Sequence, residues 1–133
     1  MLDSLLAGEY RFEKILALTV EGIHSEQFGS GNQLWDSKVA EAVSGACSQV
    51  GVPASGSYEW YAIHFRWFVR PSPYRRDLDN LRLKPIVDRL TESGLWPDDS
   101  VHYIRAIYNE AILVEDAREE RVEVTVYGAS PAR

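Results

Sequence analysis

The chain has 133 residues with 20 acidic and 14 basic side chains, which gives a formal net charge of -6. This length suits one domain with a single core, and the acidic balance excludes a strongly basic protein that coats nucleic acid with its whole surface. No apolar run approaches the ~20 residues that span a bilayer, and residues 1–10 do not resemble a signal peptide. One cysteine, Cys47, can form neither an internal disulfide nor a cysteine-based zinc site. We therefore expect a soluble, cytoplasmic protein without a membrane partner.

The first half of the chain predicts one strand and one helix. Apolar side chains alternate along residues 10–20, which predicts a strand. The apolar face of that strand would consist of Tyr10, Phe12, Leu16, Leu18 and Val20. The glycine-rich residues 21–31 predict a loop. Apolar residues at three- and four-residue steps predict an amphipathic helix over residues 32–50, which ends at Gly51 and is followed by a loop at 52–57.

Residues 58–70 predict a long strand that ends at Pro71. One face of this strand is continuously apolar, as a core requires. The other face mixes aromatic and basic side chains, which could contact DNA or a second subunit. The residues of this mixed face are Trp60, Ala62, His64, Arg66, Phe68 and Arg70. The tryptophans of the chain are likewise candidates for stacking on bases, although Trp67 falls on the apolar face.

The second half predicts a helix and two further strands. Residues 80–93 predict the helix, with Gly94 as its end, and residues 100–114 and 121–127 predict the strands. The charged residues between these strands, Glu115 to Glu120, predict a solvated turn. The element order β-α-β-α-β-β predicts an α+β fold in one domain over residues 1–133, with a single four-stranded mixed sheet and two helices.

Two pairs of acidic residues flank the second helix. Asp77 and Asp79 follow a strand at positions i and i+2, so in extended backbone both carboxylates can bind one Mg²⁺ ion. Asp98 and Asp99 follow the helix, and one of them can reach the same metal if the next strand lies beside strand 58–70. Three carboxylates around Mg²⁺ suit metal-assisted phosphodiester hydrolysis. The alternative is that all four aspartates are turn and cap residues.

Basic residues surround these carboxylates. Residues 64–90 contain seven basic and three acidic side chains, a local charge of +4, whereas the rest of the chain carries -10. A basic stretch around clustered carboxylates is typical of proteins that bind a phosphate backbone. The candidate DNA-binding residues are Arg66, Arg70, Arg75, Arg76 and Arg82. The alternative is that the arginines pair with surface acids, which is the interpretation we favour for Arg89.

Four sequence features combine around the second helix: RRDLDN at residues 75–80, Lys84, DRL at 88–90 and GLWPDDS at 94–100. This combined pattern resembles the RusA family of Holliday-junction resolvases. These motifs occupy residues 74–100, and the element order extends the resemblance over most of the chain. The joint pattern is far more specific than the two spaced aspartates alone.

The resemblance implies a homodimeric, Mg²⁺-dependent endodeoxyribonuclease, in which Mn²⁺ can substitute. Such an enzyme resolves four-way DNA junctions by paired symmetric nicks during recombination and repair, and two cuts require two active sites. The resemblance assigns catalysis and metal binding to Asp77, Asp79 and Asp99, and leaves open whether Asp98 also contacts the metal. The family lysine falls on Lys84, with a role in DNA contact or charge stabilisation.

The chain departs from the family pattern in two places. Lys84 lies one residue further from the second aspartate than in the family, and an extra residue within a helix would rotate all that follows by ~100°. A kink or π-bulge near Leu83, next to Pro85, would restore Lys84 to its place; otherwise Arg82 is the candidate substitute. The loop at 21–31 also lacks the proline- and asparagine-rich sequence of the family.

Two rival functions remain open. One is a catalytically inactive protein that binds branched DNA, and the other is a nuclease that acts on flaps or replication forks. The three aspartates at positions 77, 79 and 99 favour an enzyme, because binding alone does not require acids that face a phosphate.

Overall fold

The computed structural model describes residues 9–22, 33–51, 58–71 and 83–132. The elements in chain order are β1 (Tyr10–Glu21), α1 (Gln33–Val50), β2 (Trp60–Val69), α2 (Lys84–Glu92), β3 (Ile104–Leu113), a 3₁₀ turn (Ala117–Glu119) and β4 (Arg121–Pro131). The predicted α+β fold, with one four-stranded mixed sheet and two helices, is confirmed. None of the helices in these ranges is long and apolar enough to cross a membrane. The predicted loop 52–57 and most of the loop 21–31 lie outside the described residues.

The strand order is β1-β4-β2-β3, so β2 and β4 are the inner strands. β2 pairs antiparallel with β4 and parallel with β3, with Tyr61 opposite Ile104 and Val69 opposite Leu113. The strand after the second acidic pair therefore lies beside strand 58–70, which is the arrangement on which the sequence-based prediction of a shared metal site depended. Because parallel strands cannot be joined by a hairpin, the chain must cross over from the end of β2 to the start of β3, and α2 belongs to this crossover.

The main core lies between the helices and one face of the sheet. The apolar face of β2 is at its centre, since Tyr61, Phe65 and Trp67 are at most 1 % exposed. Trp35 and Val39 of α1 are fully buried in the same core. The predicted apolar face of strand 58–70 is therefore confirmed, and the mixed face lies on the side of the sheet away from this core. We call that second side the open face.

The predicted apolar face of the first strand was wrong at its N-terminal end. The pairing of β1 with β4 shifts register between Lys14 and Leu16, so one residue is inserted and the side-chain alternation reverses there. Leu16, like Leu18 and Val20, packs in the main core. Tyr10 and Phe12 instead pack on the open face against Trp60.

The second helix starts later than the sequence predicted. Within the described residues it begins at Lys84, with Leu83 as its N-cap, and the predicted positions 80–82 lie outside them. The physical reason is Pro85, which has no N–H to donate and is tolerated only in the first turn of a helix. β3 also starts later, because the Ser100 carbonyl accepts the N–H groups of Tyr103 and Ile104 in a turn.

Two glycines allow a paired test of packing. In β4, a Cβ on Gly128 would collide with the Tyr58 ring, whereas a Cβ on Gly45 in α1 meets no atom within 4 Å. We expect Gly128→Ala to lower the free energy of unfolding by about 2 kcal/mol through overpacking. The control Gly45→Ala should raise it by about 0.5–1 kcal/mol, because alanine favours the helix. Urea unfolding measures both variants. Equal changes in the free energy of unfolding would contradict a close contact between Gly128 and the Tyr58 ring.

Candidate functional site

The turn between α2 and β3 is anchored by two buried side chains. Gly94 ends the helix with φ at 86°, a conformation that favours glycine. Leu95 and Trp96 are each 1 % exposed and pack in the main core. The Trp96 indole also donates to the Thr91 hydroxyl at 2.8 Å. Gly94, Leu95 and Trp96 therefore fix the position of the turn that carries Asp98 and Asp99.

The two adjacent aspartates have different environments. Asp98 accepts the backbone N–H of Ser100 at 2.9 Å, and hydrogen bonds from the Ser100 side chain and backbone lower the pKa of its carboxyl. This contact is a local turn of the chain. Asp99 is exposed and has no hydrogen-bond or ion-pair partner among the described residues. Of this pair, Asp99 is therefore the carboxylate that is available for a ligand.

Lys84 is the first residue of α2, and its side chain is 80 % exposed. Its ammonium lies 3.4 Å from Asp88 one turn later, an exposed contact that contributes little stability. Because the helix begins at Lys84, the additional residue relative to the family pattern lies before the first helical position. Lys84 and Asp88 therefore lie one turn apart on the same side of α2 without a bulge inside the helix. Arg82, the candidate substitute for the family lysine, lies outside the described residues.

The open face carries a charged network that joins β2, β3 and β4. The Glu110 carboxylate lies 2.8 Å from His64 Nε2 and accepts the Arg66 Nε–H at 3.1 Å. Arg66 is also 3.5 Å from Glu123, which accepts the Arg121 Nε–H at 3.0 Å. Arg66 was predicted to contact DNA, and His64 shares its face. Both are engaged with carboxylates here, which matches the alternative of pairing with acids.

Aromatic side chains of the open face are covered by their own neighbours. The guanidinium carbon of Arg121 lies 3.8 Å from the Phe68 ring centre, and that of Arg66 lies 5.4 Å from it. Phe68 is therefore 8 % exposed. Trp60 is 2 % exposed beneath Tyr10 and other aromatic neighbours. The four tryptophans, Trp35, Trp60, Trp67 and Trp96, are all at most 2 % exposed, so none presents a ring surface on which a base could stack.

The prediction of a solvated turn was wrong for Glu120, which is 1 % exposed. Its carboxylate accepts the backbone N–H of Arg70 at 2.9 Å and lies 3.4 Å from the Arg70 guanidinium. Arg70, another candidate for DNA contact, is thus held by a buried acid at the end of β2. The alternation of β4 contained the signal, since Glu120 is in phase with the buried Val122 and Val124.

The described residues do not bring the predicted site together. Asp77, Asp79, Arg75, Arg76 and Arg82 lie outside them. Among the residues that the structure does describe, no three His, Cys, Asp or Glu side chains are grouped to hold a metal ion. Asp99 lies before β3, at the end of the sheet where β2 begins, whereas Arg70 lies at the opposite end of β2. Arg89 pairs with Glu92 at 3.3 Å, as we favoured from the sequence.

Comparison with known proteins gives no relative: neither the family models nor the curated proteins match this chain.

Glu120 provides a test of the contact at the end of β2. Glu120→Ala removes the acceptor for the Arg70 N–H and leaves the guanidinium without its buried partner, so we expect the free energy of unfolding to fall by about 2 kcal/mol. Glu115→Ala, an exposed acid of the same turn, is the control and should change it by less than about 0.5 kcal/mol. Urea unfolding compares the two variants. Equal stability of both variants would show that the buried pair contributes nothing.

Proposed function

We propose that the chain is a Mg²⁺-dependent endonuclease of the RusA type that nicks four-way DNA junctions as a homodimer. The observation that carries the proposal is that the two adjacent aspartates differ in their hydrogen bonding. Asp98 is occupied by its own turn, while Asp99 extends from an anchored turn as an exposed carboxylate without a partner among the described residues. Asp99 is also the residue to which the resemblance assigns metal binding.

Asp77, Asp79 and Asp99 are the proposed metal ligands, and their oxygen donors suit Mg²⁺. A bound Mg²⁺ supplies a water of lowered pKa and offsets the negative charge of the phosphate and the leaving oxygen. The task of the chain is to hold three carboxylates at one point. The burial of Leu95 and Trp96 supports this role for Asp99, because it anchors the turn that carries the carboxylate.

The covalent connection allows the first two aspartates to approach Asp99. α2 has nine residues and is about 13.5 Å long. The four steps from Asp79 to Leu83 extend at most about 14 Å. If the residues before Leu83 run antiparallel to α2, Asp79 can therefore reach the C-terminal end of the helix, close to the turn that carries Asp99. The distance along the sheet between the ends of β2 is no obstacle to a shared site.

The residues proposed to contact the DNA backbone are Arg75, Arg76, Arg82 and Lys84. They belong to the segment with a net charge of +4, and the Lys84 side chain is largely exposed. Arg66 and Arg70 are less suited to this role, because binding DNA would require each to leave a carboxylate that it already contacts. The acidic remainder of the chain would repel DNA elsewhere and restrict binding to this segment.

The primary test is cleavage of a labelled four-way junction by the purified full chain, with and without Mg²⁺. We expect symmetric nicks in two opposite strands that depend on the metal, and little cleavage of a linear duplex of the same sequence. Flap and fork substrates run in parallel identify a different branched substrate. Junction that is bound but uncut in both Mg²⁺ and Mn²⁺ would indicate the inactive binding protein instead.

The acidic pair offers a matched comparison of variants. We expect Asp99→Asn and Asp79→Asn to lower the cleavage rate by more than about 100-fold. Mutation of a residue that only supports a metal ligand typically lowers activity by about 10–100-fold, and loss of a ligand itself should cost more. Junction binding, measured by gel shift, should be kept or become tighter, since a negative charge is removed. Asp98→Asn is the control, because the amide oxygen can still accept the Ser100 N–H. Equal activity of Asp98→Asn and Asp99→Asn would refute the assignment of Asp99.

A further inference from the structure

β3 is an edge strand that exposes apolar side chains. Within the described strands it pairs with β2 alone. On its helix side, Ile107 is 46 % and Leu113 is 67 % exposed, and Ala111 between them is also exposed. α1 and α2 do not cover these residues, because α1 packs over β1 and α2 packs against α1. The apolar surface therefore continues past the edge of the core.

The other edge of the sheet is protected by its own sequence. β1 contains Arg11, Glu13, Lys14 and Glu21, and it has a register shift in its middle. Charges and bulges of this kind prevent one sheet from joining another. β3 has only two charged residues, Arg105 and Glu110, and from residue 106 to 113 it pairs regularly with β2. Glu110 is neutralised by the charged network of the open face, so this edge has little electrostatic protection.

The exposed edge is a stronger candidate for a contact than the open face. On the open face the large apolar groups are already buried by side chains of the same chain, with Trp60 at 2 % and Phe68 at 8 % exposure. At β3, the exposed leucine and isoleucine remain in water. Burying apolar area is what stabilises an association, and this area is available at the edge.

We propose that β3 pairs antiparallel with β3 of a second copy of this chain, which joins the two sheets into one of eight strands. The proposal rests on the homodimer proposed above and locates its interface. A two-fold axis perpendicular to the sheet keeps each side chain on its own face, so opposite residues must share a face. The axis passes beside Asn109, which then lies opposite Asn109 of the partner subunit.

This register makes the strand complementary to itself. On the helix side, each Ile107 lies opposite Ala111 of the partner subunit. On the open face, Ala106 lies opposite Ile112 of the partner subunit, and Tyr108 lies opposite Glu110 of the partner subunit, whose carboxylate can accept the phenol O–H. No pair of residues from 106 to 112 places like charges opposite each other. A register centred on Glu110 would place two carboxylates together, which is unfavourable.

The experiment compares two double variants of the full chain with the wild type by sedimentation equilibrium. Ile107→Lys with Leu113→Lys adds two charges at the edge, and Leu34→Lys with Val50→Lys adds two charges at similarly exposed positions of α1. All four residues are exposed, so both proteins should fold, which circular dichroism checks. We expect twice the chain mass for the wild type and the α1 variant, and the single chain mass for the β3 variant.

The register is tested by a disulfide in a Cys47→Ser background. Asn109→Cys should form a linked dimer on oxidation, because directly opposite residues bring Cα atoms to about 4.5–5.5 Å, within the range of a disulfide. Leu34→Cys is the control and should not form one. A dimeric β3 variant would overturn this interface while leaving the homodimer intact. A monomeric wild type would overturn both the interface and the homodimer. The junction-cleavage assay tests the nuclease activity independently of either result.

Discussion

The parallel pairing of β2 with β3 is the constraint on which the rest of the molecule depends. Antiparallel neighbours can be joined by a short turn, but parallel neighbours require the chain to return to the starting end of the sheet. The chain between β2 and β3 makes this return, and α2 belongs to it. In the sequence, the two acidic pairs precede and follow α2 within this segment. The buried Leu95 and Trp96 then hold the second pair where the chain re-enters the sheet.

The open face is covered by none of the helices in the described ranges, and its own charged side chains shield its apolar groups from water. Two arginines lie over Phe68, and their charges are balanced by Glu110 and Glu123 from the flanking strands. Basic residues on a strand therefore do not by themselves indicate a nucleic-acid interface, because the neighbouring strands decide whether they are already paired. β3 differs from the open face, because its exposed apolar side chains have no such cover.

The fold was largely predictable because its signals are local. Alternation indicated the four strands, Gly51 and Gly94 marked the helix ends, and both glycines have the positive φ that this role requires. The later start of α2 was also contained in the sequence, since Pro85 fits only a first turn. For the candidate site, the sequence predicts that one of Asp98 and Asp99 binds a metal ion. The structure distinguishes the two residues only in that Asp98 accepts the Ser100 N–H within its own turn, and metal binding by Asp99 stays a prediction. The partners of Arg66 and Arg70 could not be predicted, because each lies more than forty residues away along the chain.

By itself, the sequence determined the element order, the apolar face of β2 and the motif residues between positions 74 and 100, since these follow from periodicity and residue type. Only the tertiary structure decided the strand order, because pairing partners are chosen by complementary faces far apart in the chain. It also placed Tyr10 and Phe12 on the open face, where a single inserted residue reverses the alternation of β1. Finally, it buried Glu120, because the N–H of Arg70, the residue after β2, needs an acceptor, and the carboxylate just before β4 supplies it.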